Sequence, residues 1–188
     1  MAILILGLFV FFGIHLLPVL TPVRNRLFGA LGERKYKGMF SIMSAIGLVL
    51  IVVGYARAPS EPQLFAPSAT ALRIAPGAMI ISFILLASAN MKTHIRRVLR
   101  HPMLLGVGIW AAVHLAANGE AKATILFGAF LAYAVIDLIS AVGRRAVKSF
   151  VPAARQDVIA VVAGTALALL VMTFHRTLFG VAPVGWSM

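Results

Sequence analysis

Six apolar segments, separated by short stretches that hold most of the charge, limit what this chain can fold into. They run over about 2–21, 38–55, 76–89, 102–117, 123–141 and 158–174. With 61% apolar residues and a mean hydropathy of +0.99, a soluble domain of 188 residues would have no way to hide so much apolar surface. A chain facing lipid has no need to hide it. The pattern lacks the alternation of polar and apolar residues that a transmembrane barrel needs. The predicted fold is therefore all-α: a polytopic six-transmembrane-helix bundle forming one integral membrane domain over residues 1–188. Several segments fall short of the ~20 residues of a perpendicular span, and polar ends that snorkel to the interface make up the difference.

The charges between the segments predict an orientation. Loops one, three and five hold Arg24, Arg26, Arg34, Lys35, Lys37, Lys92, Arg96, Arg97, Arg100, Arg144, Arg145, Lys148 and Arg155. The opposite side holds only Arg57, Arg73, Lys122 and Arg176. The positive-inside rule places the odd loops in the cytoplasm, so both termini face outward. The net charge of +12 is spread between apolar runs rather than over one face, which predicts membrane lipid and no nucleic acid as the partner. The first segment lacks a basic leading region and contains His15 and Pro18, so it is expected to be a retained helix rather than a cleaved signal. The second loop, about 56–75, carries Pro59, Pro62 and Pro67 and is expected to cover the bundle from outside. Gly128 with Ala132 and Gly164 with Ala168 have the spacing of close helix contacts. The chain has no cysteine, hence no disulfide, thiolate ligand or sulfur nucleophile.

Polar side chains within a bilayer are costly and tend to be functional. Here they are His15, His114 and Asp137, whereas His94, His101 and His175 fall at segment ends or in loops. His114 belongs to the stretch RHPMLLGVGIWAAVHLAANGE, residues 100–120. Pro102 suits the first helical position, and Asn118-Gly119 suits a left-handed stop. At ~100° per residue His114 shares a face with Met103, Val107, Trp110, Ala111 and Asn118, whereas His101 looks the other way. Gly106 and Gly108 remove bulk from this helix, for a flat cofactor or for a close helix neighbour. Neutral imidazole is a common metal ligand, and two histidines on different helices of a bundle can hold a haem iron. His15 and His114 are therefore the candidate metal ligands, the alternative for such a buried histidine being a satisfied core residue. Trp110 and Asn118 are candidate cofactor contacts, and Asp137 either orients an imidazole or pairs with Arg144. Counting ~1.5 Å per residue puts His15 about 10 Å and His114 about 18 Å from the cytoplasmic edge.

Two stretches carry a resemblance. GIHLLPVLTPVRNRLFGALGERKYKGMFSIMSAIGLVL, from Gly13, together with RHPMLLGVGIWAAVHLAANGE, resembles the NnrU family of bacterial membrane proteins over nearly the whole chain. More distantly, the pair is similar to the plant and cyanobacterial zeta-carotene isomerase. The NnrU resemblance implies a multi-pass inner-membrane protein associated with nitrite and nitric oxide reduction. The isomerase resemblance implies haem b with histidine axial ligands, falling on His15 and His114, and redox-dependent isomerisation of a polyene. RHPMLLG is also similar to the RHPxYxG segment of isoprenylcysteine carboxyl methyltransferases. That likeness implies S-adenosylmethionine bound at the cytoplasmic edge by the turn of Arg100, His101 and Pro102. Leu104 stands where those enzymes have an aromatic residue, and beyond Glu120 the only acids are Asp137 and Asp157.

The expectation is an inner-membrane protein, with both termini periplasmic, that binds haem b and acts in or supports nitrogen-oxide respiration, with a redox or reductase partner. The alternatives are a haem-dependent polyene isomerase, an S-adenosylmethionine-dependent methyltransferase and a cofactor-free assembly factor. No residue stands out as catalytic.

Overall fold

A computed structural model describes residues 1–145 and 149–180. Among them the chain is helical throughout and has no strand, only an isolated antiparallel bridge between Gln63 and Glu120. The helices are α1 (Ala2–His15), α2 (Thr21–Arg57), α3 (Ala69–Ser88), α4 (His94–Leu99), α5 (Pro102–Ala117), α6 (Ala121–Gly143), α7 (Ala154–Thr173) and α8 (His175–Phe179). By length and composition α2, α3, α6 and α7 can each cross a membrane, while α1 and α5 are shorter apolar helices. Large apolar side chains point outward along these helices: Phe9 is 77% exposed and Ile139 68%. In water that surface would be a liability; it suits a helical membrane protein, whose solvent is lipid.

Several boundaries differ from the sequence expectation, each for a local reason. α1 ends at His15, not near residue 21. Pro18 has no N–H to give and crowds the preceding residues away from helical geometry. The basic stretch after it is helical rather than a loop: Pro22 sits in the first turn of α2, and Gly32, at φ 73°, breaks that helix into two pieces. α3 starts at Ala69 instead of 76 because Ser68 caps it, its hydroxyl accepting the Ala71 N–H at 3.3 Å. Pro76 thus lies inside α3. The basic run after α3 is a separate helix, α4, capped by the Thr93 hydroxyl, which accepts the Arg96 N–H at 2.9 Å. α5 stops at Asn118 through extended backbone (φ −123°, ψ 139°), not through a left-handed residue. Lys148, counted above with loop five, lies outside the described residues.

The chain forms two compact units. The first comprises Met1–Leu64 with Glu120–Ala129, the second Phe65–Gly119 with the chain from Phe130 onward. In the first, α1 and α2 pack backbone to backbone. A Cβ added to Gly47 would lie 2.7 Å from the Phe11 nitrogen, and one on Gly54 would run into the backbone of Leu4. Leu4 itself is fully buried. In the second unit α3 packs against both α5 and α7. Gly164 of α7 lies so close to α3 that a Cβ there would fall 2.5 Å from the Ile84 Cα. Met79, Ala168 and Met172 form a buried cluster, with Trp110 and Val113 of α5 packed on it. Gly128 makes no such approach, since a Cβ there would meet nothing within 4 Å.

Candidate functional site

His15 is the last residue of α1, so the depth counted from residue 21 runs through a turn instead of a helix. Its Nδ1–H donates to the Phe11 carbonyl at 2.7 Å. A carbonyl can only accept, so Nδ1 carries the proton and the lone pair of the neutral ring is on Nε2. The imidazole stacks on Phe11, with ring centroids 4.0 Å apart, and lies 5.1 Å from the Phe40 ring of α2. Phe12 meets Phe11 edge-on. Phe40 is a neighbour that sequence reasoning missed, because only the α1–α2 pairing brings it there.

His114 repeats the arrangement in the second unit. Its Nδ1–H donates to the Trp110 carbonyl at 2.8 Å, again leaving the lone pair on Nε2. The bond spans four residues within a helix in both cases, so each ring is aimed by its own helix. Trp110 lies 5.3 Å from the His114 ring and meets Phe130 of α6 edge-on at 5.3 Å. Phe83, Leu86, Val107, Trp110 and Phe130 line an apolar cavity of about 250 Å³. That is below the range of pockets that enclose a whole drug-sized ligand.

The ring of His175 lies 6.5 Å from that of His114, with their planes within 24° of parallel, and Phe179 backs it at 4.8 Å. From the sequence His175 read as an end residue. No spacing rule links it to His114, because α7 must return along α3 before the two meet.

Other candidates fall elsewhere. Asn118 lies beyond the end of α5, where extended backbone takes it off the helical face of His114. Asp137 accepts a hydrogen bond from the Tyr133 hydroxyl at 3.3 Å and pairs with Arg144 at 3.5 Å. The gap at Gly106 is filled by α3: an added Cβ would lie 2.9 Å from the Ser82 carbonyl, and the Ser82 hydroxyl donates to the Gly106 carbonyl at 2.8 Å. His94 is held by α7, its backbone N–H donating to Asp157 Oδ1 at 2.7 Å and its Nδ1–H to Oδ2 at 2.6 Å. Arg100 and His101 line a second cavity with Val142 and Arg145. Its two guanidinium groups face no carboxylate in that lining, a poor setting for the sulfonium of S-adenosylmethionine.

Among the described residues no three His, Cys, Asp or Glu side chains converge as a metal-ion cage would require. Haem asks less of the protein, since the porphyrin fills four positions and an imidazole or two completes the iron. An imidazole held by an Nδ1–H bond to a backbone carbonyl, as in His15 and in His114, is a donor of the type such an iron takes.

Fold and site together define a class: a helical membrane protein whose apolar helices carry histidines set among aromatic rings. The model of the NnrU protein family matches residues 3–183, and the chain belongs to that family. Searches of curated proteins and of solved structures find no match.

Proposed function

We propose that this protein is a six-span haem b protein of the bacterial inner membrane that acts in or supports nitrite and nitric oxide respiration. On this reading α1 and α5 are the two short spans, the chain is a single membrane domain and both termini face the periplasm. His15 and His114 are the proposed iron ligands. The observation that carries the reading is their shared chemistry. Each donates its Nδ1–H to a backbone carbonyl, which in the neutral ring puts the lone pair on Nε2, as in metal-ligating histidines generally. Both sit against aromatic rings, which suit the faces of a porphyrin. Haem so held supplies one-electron redox chemistry. The link to nitrogen oxides rests on the family resemblance, and a redox or reductase partner belongs to it.

The absorption spectrum of protein purified in detergent tests the cofactor. A Soret band with sharp α and β bands on reduction is expected. A colourless protein that takes up no added haemin would sink the proposal and leave the assembly-factor reading. Nitric oxide uptake by cells with and without the gene tests the physiological half.

A further inference from the structure

The cavity beside the α4–α5 junction, lined by Arg100, His101, Val142 and Arg145, has a volume of about 310 Å³ and belongs to neither histidine site. Arg100 and Arg145 are exposed, and neither has a carboxylate partner among the described residues. The neighbouring Arg144 is different, being paired with Asp137. His101 precedes α5 without capping it through its side chain. Its Nε2 is shielded from solvent and has no hydrogen-bond partner among the described residues. A shielded polar nitrogen left unmatched is costly and calls for a partner. The described non-glycine residues with positive φ are also these two arginines, Arg100 at 62° and Arg145 at 49°. Each turns the chain just past a helix, α4 in one case and α6 in the other, so two rigid elements deliver their guanidinium groups to one place.

Two forks of N–H donors with no carboxylate partner among the described residues, and an imidazole lining the same cavity, suit the oxygens of a phosphate. An apolar route leads away from them: Val142 lines the cavity, and Ile139, one turn earlier on α6, is 68% exposed. Basic pockets at the ends of membrane helices take lipid head groups in this way. We propose that Arg100, His101 and Arg145 bind a phosphate group, and that in the membrane this is the phosphate of an anionic lipid whose chains lie along α6. The proposal does not depend on haem.

The test uses full-length protein in a neutral detergent, titrated with phosphatidylglycerol or phosphatidylcholine and followed by native mass spectrometry, with inorganic phosphate as a competitor. Saturable binding of one phosphatidylglycerol per chain is expected, at least tenfold tighter than phosphatidylcholine. The double variant R100Q/R145Q should weaken it at least tenfold. R97Q, which removes an exposed charge from the same stretch outside the cavity, should change it less than twofold. R100K/R145K should fall between wild type and the double glutamine variant, since it keeps charge but loses the fork. Melting midpoints without lipid check that the variants fold; if the double variant does not, Arg145→Gln alone should still cost at least threefold. Displacement of the lipid by millimolar inorganic phosphate, with the same dependence on the arginines, would keep the site and assign it to free phosphate. Wild-type affinity in R100Q/R145Q, or an equal loss in R97Q, would overturn the proposal.

Discussion

Single imidazoles carry the functional reading, and their substitution separates the roles assigned here. His15→Ala and His114→Ala should each turn a low-spin haem spectrum high-spin or lose haem, because each removes a proposed Nε2 ligand. His94→Ala should leave the spectrum unchanged, since that side chain is bound to Asp157. His175→Ala should shift the spectrum without emptying the site, because its ring stacks 6.5 Å from His114. Retention of the wild-type spectrum in both His15→Ala and His114→Ala would refute the ligand assignment. His15 and His114 were legible in the sequence because a histidine inside an apolar run stands out. His175 was not, because nothing along the chain marks which residue a returning helix brings alongside.

At the scale of the helices, close approach and capping hold each unit together within itself. Gly54→Leu and Gly164→Leu should each lower the melting midpoint, with a cost at or above the ~1–3 kcal/mol of ordinary overpacking, because the added atoms meet backbone rather than a side chain that can swing away. Gly13→Ala is the control: a Cβ there meets nothing within 4 Å, and alanine is the better helix former by up to ~1 kcal/mol. A rise or no change in the first two, measured by thermal scanning in detergent, would contradict the packing described. Asp157 joins α7 to α4 by accepting the His94 and Ile95 N–H groups as well as the His94 ring. Asp157→Ala should therefore lower the midpoint more than Asp157→Asn, which keeps an acceptor oxygen. Local signals set many helix ends: Pro22 and Pro102 open α2 and α5, and Pro18 closes α1. The cap at Ser68 was equally present in the sequence, but Pro76 masked it, since a proline within an apolar run reads as a start even when the helix began a turn or two before it.

At the scale of the whole molecule, the claim is orientation in a membrane. Reporter fusions after Lys37 and Lys92 should score cytoplasmic, and a fusion at the C-terminus periplasmic, as the excess of Lys and Arg in the odd loops requires. A periplasmic score at either lysine would break the six-span reading, and with it the assignment of α1 and α5 as short spans.

The sequence by itself determined the class of fold and the family. Apolar content, charge spacing and proline positions act locally or through the solvent, so they can be read without knowing which helices touch. It also marked His15 and His114, because a polar group in an apolar segment is conspicuous wherever that segment packs. Only the tertiary structure decided that Gly106 serves a helix contact with Ser82, that His175 joins His114, and that Arg100 and Arg145 line one cavity. Each of those depends on which faces of two helices meet. In an evenly apolar chain no amphipathic stripe marks those faces, so they are chosen by the fit of small residues against backbone.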